Sequence, residues 1–254
     1  MSDEFYIGWE ARSAPGIGRF LRLAVVALLI LALGTALALA VMQRTIGVSV
    51  FEWGAVKKFS GILKVEPYPH LLVARPGPVG TQNHFSTYYL VAPFKFGLGR
   101  EKLSALDGKT VSLQGTLIYR GNQTMVEAIP NSIAAAEKQI PPPPSSATLG
   151  LGRQTLTGEI VDSKCFLGVM NPGQLLPHRA CAIRCISGGI PPVLLVRQHD
   201  APPIYLLLVS AEGKPVNQQV LAFVAEPVQI TGEVERQGEL LILRADPSTY
   251  RRIK

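Results

Sequence analysis

One apolar stretch near the N-terminus is long enough to cross a membrane. The residues from Leu23 to Met42 include no charged side chain, and an arginine lies close to each end. Twenty helical residues rise about 30 Å, which matches the hydrocarbon core of a bilayer. The stretch exceeds the roughly 7 to 15 apolar residues of a cleaved signal peptide, and about twenty residues precede it. We therefore predict a tail over residues 1–20 and an uncleaved transmembrane helix over residues 21–44.

After this helix the pattern changes to short runs rich in β-branched and aromatic residues, which are typical of strands. Glycine, proline and asparagine separate the runs as turn residues. Five such runs lie within residues 56–138, at Phe59–Val65, His70–Ala74, Ser86–Ala92, Thr110–Tyr119 and Thr124–Ile129. Five short strands without a long helix predict a small β-barrel or β-sandwich.

The C-terminal half repeats this pattern. The opening strands of the two halves match at Gly61 and Gly158, and the penultimate strands align without a gap around Gly115 and Gly232. A glycine inside a barrel strand marks a sharp bend or a close approach of another backbone. The shared order of strands and glycines predicts two copies of one five-stranded barrel of the oligonucleotide/oligosaccharide-binding (OB) type.

A proline-rich segment separates the two copies. Residues 141–144 are four consecutive prolines, which favour an extended and stiff spacer. We therefore predict a first barrel over residues 56–138, a linker over 139–153 and a second barrel over 154–254. The predicted fold class is all-β, with an N-terminal transmembrane helix followed by two tandem OB-like barrels.

The two copies differ most in an insert, residues 163–190, between the first two strands of the second barrel. It holds every cysteine of the chain, Cys165, Cys181 and Cys185, and one of the four histidines, His178. No helix breaker occurs between Pro177 and the paired glycines 188–189, so a short helix is expected there. At about 100° per residue, the histidine and the last two cysteines share one helical face.

Three interpretations of this cluster are open. In the first, Cys165 forms a disulfide with Cys181 or Cys185, which suits an exported domain and leaves one thiol free. In the second, three thiolates and the imidazole of His178 form a tetrahedral metal site, for which zinc and copper(I) are the suitable ions. In the third, the cysteines only fill an apolar interior.

The insert and its flanking strands resemble a family of small exported bacterial barrel domains of uncharacterised function. The family pattern is a strand with Gly-x-Ile/Val-x-Asp-x-x-Cys, a loop, Cys-x-x-x-Cys and a glycine. Residues 158–165, residues 181–185 and Gly188 occupy those positions here. The resemblance covers roughly Thr155 to Ile253 and implies an exported OB-like barrel, but no reaction. The membrane helix and the long loop 166–177 depart from the small free-standing examples.

The charge distribution argues against nucleic-acid binding. The chain has 25 Lys and Arg against 18 Asp and Glu, a net charge of +7. These basic residues are scattered rather than collected in a stripe with interleaved aromatic residues. We expect the lipid bilayer and other subunits of a membrane complex as partners.

Motifs for catalysis do not stand out in the sequence. It shows no Ser/His/Asp ordering, nucleotide-binding loop or paired carboxylates. We therefore expect a non-catalytic accessory or assembly subunit of a bacterial membrane complex, of a respiratory or electron-transfer kind. The arginines around the helix place the N-terminus in the cytoplasm and the barrels in the periplasm or outside the cell, with the helix in the inner membrane. The alternative is a thiol or metal protein acting through the insert, in which Arg179 or Arg184 lowers the pKa of a thiol.

Overall fold

The computed structural model describes residues 14–44, 48–75, 85–141, 148–199 and 201–253. The chain divides into two compact units, Met1–Gly47 and Val48–Lys254. In the first unit, α1 (Pro15–Arg44) is a single helix of 30 residues. Its Pro15–Met42 part is long and apolar enough to cross a membrane. The helix begins six residues before the predicted start, because proline is well suited to a first helical position. Most of the predicted tail lies outside the described residues.

The second unit is mostly β-structure. Its first half contains β1 (Ser49–Phe51), β2 (Lys57–Lys64), β3 (His70–Ala74), β4 (Phe85–Val91), α2 (Arg100–Leu103), β5 (Thr110–Arg120), β6 (Gln123–Ala128) and β7 (Ala134–Ala135). Its second half contains β8 (Leu149–Asp162), α3 (Arg179–Ser187), β9 (Pro192–Val196), β10 (Ile204–Val209), β11 (Pro227–Gln237), β12 (Leu240–Arg244) and β13 (Arg251–Arg252).

Both halves form a closed five-stranded barrel with the same connectivity. In the first barrel the order is β2-β3-β4-β6-β5, and β5 pairs with β2 to close the ring. In the second the order is β8-β9-β10-β12-β11, closed by β11 on β8. The third and fifth strands pair in parallel in each barrel, and the other ring pairings are antiparallel. The fold is therefore two tandem OB-type barrels, as the repeated strand pattern predicts.

The matching glycines have a common structural cause. A Cβ atom on Gly61 would lie 2.5 Å from the carbonyl oxygen of Leu72, and one on Gly158 would lie 2.5 Å from that of Leu195. The strands therefore approach the next strand too closely for any side chain, at the same place in each copy. Glycine in the penultimate strands is required for the same reason, since a Cβ on Gly232 would lie 2.2 Å from a carbonyl oxygen of β12.

The first strands of the two halves begin earlier in the chain than the predicted barrel bounds. Residues 49–51, between the predicted membrane helix and the predicted first barrel, form β1 and pair with β5. Strand β8 begins at Leu149, inside the predicted linker 139–153, because β11 is long enough to pair with it from Pro227 to Arg236. Residues 142–147 of the linker lie outside the described residues, and the predicted domain boundaries stay a prediction.

The two barrels share an apolar core. One cluster of buried side chains combines Tyr89 and Ile118 of the first barrel with Leu167 and Val193 of the second. Polar contacts supplement it. The guanidinium of Arg120 lies 4.3 Å from the ring centre of Phe166, and the hydroxyl of Tyr68 donates to Asn217 Oδ1 at 3.0 Å. The barrels therefore contact each other directly, and the insert of the second barrel lies at this contact.

Candidate metal-binding site

Two cysteines lie one turn apart on α3. Cys181 and Cys185 are separated by four residues, so their side chains emerge from the same face of the helix. Cys185 is buried and Cys181 is partly exposed. The helix ends at Ser187 and is capped by Gly188, whose N–H donates to the carbonyl oxygens of Arg184 and Cys185. The predicted helix and its shared cysteine face are both present.

Cys165 comes from the end of β8, where the chain makes a wide helical turn over Cys165–Val169. The Cys165 backbone N–H donates to Asp162 Oδ1 at 2.8 Å, which fixes the start of that turn. The Cys165 sulfur lies 3.9 Å from the Cys181 sulfur and 3.9 Å from the Cys185 sulfur. All three cysteines are free thiols in this structure, and the disulfide of Cys165 with either partner stays a prediction.

His178 is buried beside the cysteines and is oriented by a carboxylate. Its Nε2 atom lies 2.9 Å from Oδ2 of Asp162, which is fully buried. In the tautomer that donates from Nε2 to this carboxylate, Nδ1 carries the free lone pair. An imidazole held by a carboxylate in this way is the usual arrangement of a metal-binding histidine.

The ligand atoms form two overlapping groups. In one, the ligand atoms of Cys165, His178 and Cys181 all lie within 4.8 Å of one another, and in the other those of Asp162, Cys165 and Cys185 do. Cys165 belongs to both groups. The four predicted site residues thus lie in two groups joined by Cys165, with His178 and Cys181 in one and Cys185 in the other. The second group adds Asp162, which the sequence pattern contained but did not mark as a ligand.

The thiols of Cys165 and Cys185 differ in acidity. A hydrogen bond to the Cys185 sulfur, followed by burial, raises the pKa of Cys165 well above its usual range. The same hydrogen bond lowers the pKa of Cys185. Cys165 therefore keeps its proton and donates it in the hydrogen bond to the Cys185 sulfur. Cys185 is the easier of the two thiols to ionise.

A lysine from the first barrel completes the site. The ammonium of Lys95, in the loop after β4, donates to the Cys181 sulfur at 2.7 Å and lies 3.9 Å from the Cys185 sulfur. The hydrogen bond to Cys181 raises the pKa of Lys95. The cation beside the thiols is therefore this lysine. Arg179, expected in that role, instead pairs with Glu226, and the other candidate, Arg184, is exposed.

A second lysine holds the loop that carries Lys95. The side chain of Lys164 is only 1% exposed, and its ammonium donates to the carbonyl oxygens of Ala92 and Phe94 at 2.9 and 2.7 Å. It also forms an ion pair with Glu127 of the first barrel. Because Lys164 immediately precedes Cys165, one short segment both supplies a sulfur of the cluster and binds the loop beside it.

The paired glycines that end α3 have a further role. The N–H of Gly97 donates to the carbonyl oxygen of Gly188 at 2.9 Å. A Cβ atom on Gly188 would lie 2.1 Å from the carbonyl oxygen of Lys95. A side chain at this position would therefore push the loop away from the cysteines. The sequence suggested only a helix stop here, since nothing in it shows which distant loop approaches.

Comparisons with known proteins add little to this picture. No family model and no curated protein matches the chain. Among solved structures, a deletion mutant of the single-stranded DNA-binding protein from Thermus aquaticus is similar over 82% of this chain and 88% of that chain, with 11% sequence identity and a TM-score of 0.20. So low a TM-score carries no argument about function, and the OB assignment rests on the strand connectivity.

Proposed function

We propose that this chain is a membrane-anchored protein whose second barrel binds one soft metal ion through Cys165, Cys181 and Cys185, with His178 as a fourth ligand. The observation that carries the proposal is the sulfur spacing. With metal–sulfur bonds of about 2.3 Å, two sulfurs of a tetrahedral site lie about 3.8 Å apart. The Cys165 sulfur lies 3.9 Å from both other sulfurs, so two of the sulfur pairs already have the ligand separation.

The surroundings of the sulfurs also fit a metal ion. Asp162 orients the imidazole, which is the carboxylate–histidine arrangement that supports metal ligands. Cys165, Cys185 and His178 are buried, which restricts the side-chain freedom of three of the four proposed ligands. Thiolate and imidazole donors select zinc and copper(I) among the common metal ions.

Metal titration of the reduced full chain in detergent tests this proposal. We expect one equivalent of copper(I) or zinc(II) per chain, measured by competition with a chromophoric chelator. Cys165→Ser removes the ligand common to both groups and should weaken binding by about 100-fold or more, whereas Met170→Leu, which removes a sulfur outside the cluster, should not change it. Unchanged binding by Cys165→Ser, in a variant whose melting temperature shows that it is folded, would overturn the proposal.

A thiol-exchange function is the second candidate, and one observation favours it. Cys181 is the most accessible of the three thiols and lies against the ammonium of Lys95, as reactive cysteines often do. Its thiolate would attack a small-molecule disulfide and release one thiol, and Cys165 would then displace the second, which leaves a Cys165–Cys181 disulfide and two reduced thiols. Treatment with oxidised glutathione followed by peptide mass spectrometry identifies that product, and its absence would exclude the candidate.

We further propose that the protein serves a bacterial membrane complex as an accessory or assembly subunit, with its N-terminus in the cytoplasm and its barrels in the periplasm. A helix long and apolar enough to cross a membrane supports the anchor. All cysteines lie in the second barrel, so labelling of Cys181 by a membrane-impermeant maleimide reports its side of the membrane. Labelling only after cell lysis would contradict the proposed orientation. The accessory role is tested separately by purification in mild detergent, and recovery of the protein without a stoichiometric partner would contradict that role.

A further inference from the structure

The loop after β4 brings a positive charge to the sulfur cluster from the first barrel. The ammonium of Lys95 lies 2.7 Å from the Cys181 sulfur. A metal ion bonded to that sulfur at about 2.3 Å therefore lies no farther than about 5 Å from the ammonium. At this distance the two cations repel each other appreciably, because the site is partly buried and water screens the charges incompletely.

The structure keeps this charge in place. The loop carbonyls of Ala92 and Phe94 accept from the buried ammonium of Lys164, and Gly97 donates to the carbonyl of Gly188. Phe94 has a φ of 62°, an unfavourable conformation for a bulky residue that persists only where the surroundings impose it. Three hydrogen bonds thus hold the backbone on both sides of Lys95, so the loop keeps this residue next to the sulfurs.

We infer that Lys95 makes this site selective for a singly charged soft cation, copper(I), over the doubly charged zinc(II); this inference rests on the proposed metal site. The attraction between the ammonium and the thiolates is the same for both metals. The repulsion between the ammonium and the metal is twice as large for zinc(II) as for copper(I). The ratio of the two affinities therefore isolates the effect of the metal charge.

The experiment measures both affinities in three variants of the reduced full chain. Lys95→Gln removes the charge, Lys95→Arg keeps it, and Lys102→Gln removes an exposed charge from the same barrel as a control. Copper(I) and zinc(II) are each titrated against a chromophoric chelator. We expect Lys95→Gln to shift the copper-to-zinc affinity ratio by about tenfold toward zinc, and Lys95→Arg and Lys102→Gln to leave it within about twofold of the original.

The outcomes separate this inference from the metal site itself. If neither metal binds the original protein, the proposed metal site is wrong and the inference falls with it. If both bind but Lys95→Gln leaves the ratio unchanged, the metal site stands and the inference is overturned. A ratio that shifts equally in Lys102→Gln would also overturn it, because the effect would then come from the overall charge and not from the loop.

Discussion

Replacement of Lys164 by methionine is expected to destabilise the protein strongly. The lysine side chain is 1% exposed, and its ammonium contacts the carbonyls of Ala92 and Phe94 and pairs with Glu127. Methionine keeps most of the apolar stem but has no charge and no donor. The variant therefore leaves two carbonyl oxygens and one carboxylate without their partner in the folded state. The free energy of the unfolded chain does not change in this way, because water solvates these groups there.

The size of the effect follows from these contacts. The two carbonyl contacts are only part-buried, so water replaces much of the lost donor and the carbonyls add little to the cost. The side chain of Glu127 is 16% exposed, so it regains only part of its hydration. Removal of one partner of a buried ion pair costs about 3–5 kcal/mol. We therefore expect Lys164→Met to lower the free energy of unfolding by about 3–5 kcal/mol.

Urea unfolding of the full chain in detergent, followed by the near-ultraviolet circular dichroism of the tyrosines, measures this loss. The double variant Lys164→Met/Glu127→Gln replaces the unpaired carboxylate by a neutral amide, so it should lose about 1–3 kcal/mol less than the sum of the single variants. Lys102→Met changes an exposed lysine and should stay within about 0.5 kcal/mol of the original. A loss below about 1 kcal/mol in Lys164→Met would refute the reasoning, because the ammonium would then not be essential to the contact between the barrels.

Three further predictions concern single positions. Gly188→Ala places a Cβ atom 2.1 Å from the carbonyl oxygen of Lys95 and should lower the melting temperature by about 3–10 °C. The control Gly99→Ala adds a Cβ atom with nothing within 4 Å and should change the melting temperature by about 1 °C or less in the same thermal scan. Burial lowers the pKa of His70, so its contribution to stability is complete above about pH 6.5 and is lost as the pH falls below that value, where only the unfolded chain takes up the proton. His70→Gln should therefore reduce the loss of unfolding free energy between pH 7.5 and 5.5, and an unchanged loss would contradict this. Asp162→Asn removes the carboxylate that orients the imidazole and should weaken metal binding by about 10- to 100-fold; an affinity equal to that of the original protein would show that the ring orientation does not matter.

The barrels were predictable from the sequence because their signal is local. Short runs rich in β-branched and aromatic residues, bounded by turn residues, give β2 to β6 whatever their neighbours are, and observed and predicted strand ends differ by at most two residues. The glycines also carried local information, since Gly61 and Gly158 occur at the same point of the repeat. The grouping of the cysteines followed from helical periodicity on α3 and from the position of Cys165 at the end of a strand.

The contribution of the first barrel to the site was not predictable in this way. Lys95 lies 86 residues from Cys181, and no periodicity connects them. Their contact depends on how the two barrels pack, which a repeat in the sequence does not specify. Lys164 is similar, because an isolated lysine next to a cysteine is usually solvated, and only the approach of the Ala92 and Phe94 carbonyls makes its burial favourable.

The contact made by Lys95 gives the cysteine-free barrel a reason to be retained. After a gene duplication, a copy without a functional cluster is free to diverge, but here its loop touches the cysteine cluster of the other copy, so a change in one constrains the other. Substitutions in the 92–97 loop and in the 163–190 insert should therefore be correlated among related sequences. A relative with a single barrel must obtain the same lysine from a second chain or dispense with it, and its metal preference should differ accordingly.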